Sequence, residues 1–173
     1  MRAVPRIVAT VALVAVAAGC TADPVPPSPS TAPPVAVVRD ATALGGCPGP
    51  TARLAPDLVV ASTALPAGAG CTWTDPSSTA VVRADVHAAG GLGALYRAAG
   101  EFRAFRTGQL AGAPTVVTTP GGDPSCSLHA GLSDGELLVV QVGPATAPVP
   151  DPCRTAAAVA ERLLTAMPTR STR

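Results

Sequence analysis

The chain has 173 residues, of which 12 are basic and 11 are acidic, so its formal net charge is +1. This length allows a single domain with a tail. A balance so close to neutral provides no clustered basic surface of the kind that binds DNA or RNA, and we expect no nucleic-acid partner.

The first 20 residues have the features of an export signal. Two arginines precede an apolar run of 12 residues, 7–18, which ends at Gly19-Cys20. Such a run is too short to cross a bilayer core of ~30 Å, which needs roughly 20 residues in a helix. The run therefore predicts a cleaved signal peptide over residues 1–19.

The residues Val16-Ala17-Ala18-Gly19-Cys20 resemble the bacterial lipobox. This resemblance implies that the chain is cut before Cys20 and that Cys20 then carries acyl chains such as palmitate. We therefore expect a lipid-anchored protein on the extracytoplasmic side of the cell membrane, with Cys20 as its contact to the membrane. An ordinary secretory signal with an incidental cysteine is the alternative.

The segment that follows the cysteine predicts a tether. Residues 21–40 contain six prolines among Ser, Thr, Ala and Val, a composition that favours extended polyproline II over a packed core. At ~3.1 Å per residue, a segment of this length reaches at most ~60 Å. We place the tether at residues 20–43, an extracytoplasmic domain at residues 44–169 and a tail at residues 170–173.

The cysteines predict covalent cross-links within the domain. Aromatic side chains are few, so the core has to be built from Val, Leu and Ala, which bury less area than rings do. Removing Cys20 leaves an even number of cysteines, which in an exported domain indicates two disulfides. The sequence does not separate the three possible connectivities. We favour the pairing of neighbours, Cys47 with Cys71 and Cys126 with Cys153, over the nested alternative of Cys47 with Cys153 and Cys71 with Cys126. The competing metal site lacks a CxxC pair, so we expect no metal and no cofactor.

Apolar periodicity and turn residues predict the secondary structure. From Thr79 to Ala88 apolar and polar residues alternate, which places Arg83, Asp85 and His87 on the outer side of a half-buried strand. Asp134-Gly135 is a hairpin signal between two later strands. The predicted strands are 71–74, 79–88, 115–119, 125–131 and 136–142, and the predicted helices are 92–102 and 152–167.

These elements predict an α+β fold, an antiparallel β-sheet of about five strands with the helices laid on one face. Asp151 caps the last helix and Pro152 occupies its first position, so Cys153 falls in its first turn. Because Cys126 opens a strand, a bridge from Cys126 to Cys153 clamps that helix to the sheet. Prolines interrupt residues 47–66. Only Leu58 to Ala61 look strand-like or buried there, and we assign no element to this stretch.

A set of motifs spread over the domain is similar to a known family. The set comprises Cys47, Gly70-Cys71-Thr72-Trp73, Gly112-Ala113-Pro114, Cys126, and Asp151 to Ala156 leading to Leu163 to Pro168. Over about residues 45–169 the chain resembles the actinobacterial lipoprotein family named domain of unknown function 3558 (DUF3558). That family carries no established activity, so the resemblance implies an envelope location and this type of fold and assigns no catalytic residue.

Two features are candidates for chemistry. The segment from Gly131 to Gly135 places Ser133 in a GxSxG pattern, the nucleophile elbow of hydrolases, which requires a helix after the serine. Here a strand is predicted to follow, so a hairpin turn is the favoured interpretation. His87 and His129 both occupy outward strand positions, where two neighbouring imidazoles can bind a metal or sense pH. Two ligands without a placed carboxylate are too few for a site, which favours surface histidines.

No motif occurs in the structural context that its chemistry requires. The sequence therefore favours a non-enzymatic, lipid-anchored module that binds an envelope protein or ligand. One alternative is a small serine hydrolase that uses Ser133 with His129 or His87. Another is a carrier that holds an apolar ligand in a cavity between sheet and helix.

Overall fold

The computed structural model describes residues 31–42, 47, 61–64, 70–74, 80–88, 90–120, 124–144 and 149–170. The predicted signal peptide and Cys20 lie outside these ranges. Within them, seven strands form one sheet in the order β1-β2-β3-β7-β6-β5-β4, and every neighbouring pair is antiparallel. The elements are β1 (Ala61–Ala64), β2 (Gly70–Thr74), β3 (Ala80–His87), α1 (Gly91–Arg97), β4 (Ala104–Leu110), β5 (Ala113–Thr119), β6 (Cys126–Gly131), β7 (Leu137–Pro144) and α2 (Pro152–Ala166). The predicted α+β class with an antiparallel sheet is confirmed.

Two edge strands account for the difference from about five predicted strands. Strand β1 lies in the proline-interrupted stretch for which the sequence pattern selected no element. Strand β4 is mostly exposed and has no clean alternation, yet it pairs with β5 from Ala104 opposite Thr119 to Leu110 opposite Ala113. Its turn residues Ala111 and Gly112 both have positive φ, as the tight two-residue hairpin turn requires. Pairing with β5 across this tight turn therefore forms the strand, although the residues of β4 show no strand pattern of their own.

The main core lies between α2 and one face of the sheet. Alternate residues of the central strands, including Val82, Leu128, Leu138 and Val140, are 0 to 2% exposed and point toward the helix. Helix α2 presents a buried stripe to them: Ala156, Val159, Ala160, Leu163 and Leu164. Full burial of each Val or Leu contributes roughly 1.5 to 3 kcal/mol, so this interface supplies most of the apolar stabilisation. The Asp151 carboxylate accepts the backbone N–H of Arg154 at 3.0 Å and caps the helix as predicted.

Helix α1 lies on the opposite face of the sheet. It is shorter than predicted, because it ends at Arg97 and a 3-10 turn follows at Ala99–Glu101. Its buried residues Leu92 and Tyr96 pack with Val116, Leu137 and Val139 in a second cluster. Leu137 and Val139 alternate along β7 with the residues that face α2, so the prediction that both helices share one face is wrong. Four consecutive residues of β7, 137–140, are buried, which is typical of a strand covered on both sides.

Both predicted disulfides are confirmed within the described residues. Cys47 is bonded to Cys71 on β2, and Cys126 at the start of β6 is bonded to Cys153 in the first turn of α2. The second bond therefore joins α2 to the sheet, as the placement of its cysteines predicted.

The last part of the segment assigned to the tether lies on the domain. The backbone N–H of Arg39 donates to the Leu132 carbonyl at 2.9 Å, and the chain forms an antiparallel bridge there with Thr169. The Arg39 side chain is buried, and its guanidinium donates to the carbonyls of Leu164, Met167 and Ala111. Proline has no backbone N–H and so interrupts a continuous ladder of β-sheet hydrogen bonds. It does not prevent this packing, because the segment contacts the domain through occasional backbone hydrogen bonds and through side chains.

Candidate functional site

The face of the sheet opposite α2 is covered by α1 over Val116, Leu137 and Val139. The rest of it, which we call the open face, carries a row of polar side chains. Arg83 on β3 lies directly opposite Gln141 on β7, which lies directly opposite Ser127 on β6. Cross-strand neighbours on one face have Cβ atoms about 4.5 to 5.5 Å apart, so these side chains adjoin one another. Arg83 and Gln141 are exposed, whereas Ser127 is only 8% exposed.

This row borders a groove of about 480 Å³, which we call the open-face groove. Gly143 lines this groove, and a Cβ built there would be 3.4 Å from the Cβ of Ser125, an ordinary contact. The missing side chain at Gly143 therefore leaves the groove open. The lining residues are Val81, Arg83, Pro120, Ser125, Ser127, Gln141, Val142, Gly143 and Pro144.

The described lining of the open-face groove contains one charged side chain, the guanidinium of Arg83. The nearest acid on β3 is Asp85, two residues away on the same face. Its carboxylate occupies the space above Gly70 on β2, where a Cβ would overlap it. Strands β2 and β7 flank β3 on opposite sides, so a carboxylate that leans over β2 is turned away from the groove. The charge of the described groove lining is therefore positive.

The two histidines lie on the open face, beside the groove rather than in its lining. His129 pairs across the sheet with Val116 and Val139, and its Nε2 is 3.1 Å from Thr118 Oγ1. Burial, and to a smaller extent the charge of nearby His87, together lower the pKa of His129 to about 4. The described residues contain no group of three or more His, Cys, Asp or Glu that could hold a metal ion.

We expect the lowered pKa of His129 to make the fold acid-sensitive. Its folded pKa of about 4 lies below the ordinary 6.5, so the unfolded chain binds more protons between these pH values. The corresponding stability is fully present above pH 6.5 and is lost as the pH falls through about 4, up to about 3 kcal/mol at ~1.4 kcal/mol per pKa unit. Urea denaturation at a series of pH values measures this loss.

The matched variants are His129→Gln and His87→Gln. Replacing His129 removes the titrating group, so the free energy of unfolding should fall less between pH 7 and pH 4 than in the wild type. The exposed His87 makes the smaller contribution to the lowered pKa of His129. His87→Gln should therefore keep most of the wild-type dependence of the unfolding free energy on pH. If the unfolding free energy of His129→Gln depended on pH as strongly as that of the wild type, His129 would not be the cause of the acid sensitivity.

Ser133 lies in the turn between β6 and β7. Its hydroxyl accepts the backbone N–H of Glu136 at 3.1 Å and donates to the Glu136 carboxylate at 3.3 Å. A strand follows it, so the strand-turn-helix geometry of a nucleophile elbow is not formed. This turn is at the end of β6 and β7 farthest from the open-face groove, and the hairpin predicted from Asp134-Gly135 is confirmed.

Sequence reasoning placed Arg83 on the outer side of its strand but did not assign it to a site. Gln141 and Ser127 were missed altogether. One signal for Gln141 is present, because it is the single polar residue of β7 in an otherwise apolar strand. The Asp134-Gly135 turn predicts that β6 and β7 are neighbours, but no local signal shows that β3 lies beside β7, since three strands intervene between them in the chain.

The fold and the groove define a disulfide-linked α+β domain with an antiparallel sheet, one face covered by a long helix and the other carrying a polar groove. Residues 15–166 match the family described as protein of unknown function (DUF3558), and the chain belongs to this family. No curated protein and no solved structure matches the chain. Among the described residues, no helix is both long and apolar enough to span a membrane.

Proposed function

We propose that this protein is a lipid-anchored component of the cell envelope that binds a small ligand in the open-face groove and does not catalyse a reaction. The groove carries the proposal, because it brings one cation and several hydrogen-bonding side chains together beside apolar residues. Small-molecule sites place a few polar groups beside apolar surface and have a volume of roughly 300 to 1,000 Å³. The serine hydrolase alternative has no comparable support, since Ser133 is engaged by Glu136 in a hairpin turn.

The envelope location is supported by the chemistry of the cysteines. Disulfides persist in oxidising compartments and are rare in the cytosol, and both cysteine pairs of the domain are bonded. The lipid anchor is supported by Gly19-Cys20, which follows the apolar run. Acyl chains on Cys20 contribute ~0.8 kcal/mol per buried methylene, and two or more chains hold a protein stably in a membrane.

Cys20→Ser is expected to release the protein from the membrane fraction and to abolish labelling by an alkyne analogue of palmitate. The reason is that serine has no thiol to receive the acyl chain. Fractionation of the native host followed by immunoblotting measures the distribution. Thr21→Ser is the matched control and should stay anchored. If Cys20→Ser were processed and membrane-bound like the wild type, the anchor would be refuted.

Gly143→Leu is expected to close the open-face groove without changing its charge. A leucine there projects into the groove, and its Cβ finds ordinary van der Waals distance to Ser125. In an NMR screen of small acidic, basic and neutral compounds, binding should shift the backbone amides of Ser127 and Gln141 in the wild type and not in Gly143→Leu.

Gly100→Leu is the control for the glycine-to-leucine change, because a Cβ at Gly100 meets nothing within 4 Å and lies outside the groove. In the same screen, Gly100→Leu should show the same shifts of the groove amides as the wild type. A screen in which no compound shifts the groove amides of the wild type would contradict a binding function for this face.

A further inference from the structure

We propose that the open-face groove receives the carboxyl terminus of an extended peptide, with the terminal carboxylate held by Arg83; this inference rests on the proposed binding function. Three features of the groove support this proposal: its charge, its hydrogen-bonding row and its length.

The positive charge of the groove favours a ligand with an anionic group. Arg83 is exposed, and a guanidinium presents parallel N–H donors that match a carboxylate in a bidentate pair. Within the described residues the salt bridges join Arg170 to Asp40 and Glu136, so Arg83 has no ion-pair partner there. Since Asp85 leans over Gly70, no described carboxylate competes for this guanidinium inside the groove.

The other lining residues favour a peptide as the ligand that bears the carboxylate. The Gln141 amide and the Ser127 hydroxyl can each donate and accept a hydrogen bond, which is what the N–H and C=O groups of a peptide require. Beside this row, Val81, Pro120 and Pro144 offer apolar surface for small side chains. The described lining contains no aromatic ring, so a flat ring compound finds no stacking partner there.

The row is short, and its length favours the end of an extended peptide over a folded partner protein. Two strand spacings separate Arg83 from Ser127, a distance of roughly 10 Å at ~4.8 Å per spacing. About three residues of an extended peptide, at ~3.3 Å each, cover this distance. The groove therefore fits a terminal tripeptide.

The test uses the oxidised, full-length mature chain and three probes: acetyl-Ala-Val-Ala with a free carboxylate, the same peptide as its C-terminal amide, and sodium acetate. NMR titration of the groove amides gives the dissociation constants. We expect the acid to bind at least ~10-fold more tightly than the amide and than acetate, a ratio that corresponds to ~1.4 kcal/mol. Arg83→Gln should abolish the preference for the acid. Arg106→Gln, an exposed arginine on the edge strand β4, should retain it.

Equal affinity for acid and amide in the wild type, or equal loss in the Arg83 and Arg106 variants, would overturn the carboxylate contact. Acetate that binds as tightly as the tripeptide acid would overturn the peptide as the ligand. If neither peptide binds while other compounds of the screen still shift the groove amides, this inference fails and the proposed binding function stands. If no compound at all shifts those amides, the binding function itself fails.

Discussion

Replacing Arg39 with methionine is expected to lower the free energy of unfolding by about 4 kcal/mol. The buried guanidinium donates to Leu164 and Met167 at the end of α2 and to Ala111 in the β4–β5 turn. Methionine fills similar space but leaves these carbonyls without a donor, and each unpaired buried polar group costs about 1 to 3 kcal/mol. Loss of a cation at the C-terminal end of a helix adds a further fraction of a kcal/mol or more.

Chemical denaturation of the oxidised protein measures this effect, with Arg170→Met as the matched control. Arg170 pairs with Asp40 and Glu136 at 3.2 and 3.6 Å, but its side chain is 44% exposed. Exposed ion pairs contribute about 0 to 1 kcal/mol, so the control should lose no more than that. Arg39→Lys should fall between the two, because one ammonium group cannot reach the helix end and the turn together. A loss in Arg39→Met no larger than in Arg170→Met would refute the role of Arg39.

Removing the bond between Cys126 and Cys153 by the double change to alanine is expected to cost about 3 to 4 kcal/mol. The two cysteines are 27 residues apart, and closing a loop of this length removes about that much entropy from the unfolded chain. The disulfide also holds the first turn of α2, while Arg39 holds its last turn. The variant should therefore loosen the helix at one end.

Hydrogen exchange separates these two contributions. In the variant, amides around Ala156 to Ala158 should exchange through local opening, faster than global unfolding allows, while amides near Leu163 stay protected by the contacts of Arg39. The change of Cys47 and Cys71 to alanine is the control, since its loop of 24 residues has almost the same entropy. If both double variants lost equal stability and α2 exchanged only globally in each, the disulfide would act on the unfolded state alone and would not clamp the helix.

The local patterns of the sequence were sufficient for the class of the fold. The alternation in β3, the Asp134-Gly135 turn and the Asp151 cap each depend on residues close together in the chain, and all three are present as predicted. The favoured pairing of neighbouring cysteines is also the one observed, in loops of 24 and 27 residues. Residues 31–42 show the limit of composition, since prolines predict an extended chain but not whether it lies on a surface.

The sequence by itself determined the antiparallel α+β class of the domain and supplied the cysteines of the two bonds observed. Only the tertiary structure decided which face each helix covers, that Arg39 closes the end of α2, and that Arg83, Gln141 and Ser127 form one row. The reason is that side-chain periodicity fixes which residues of a strand share a face, whereas strand order fixes which residues of different strands are neighbours. That order arises from contacts between distant parts of the chain, and the open-face groove exists only where β3, β7 and β6 meet.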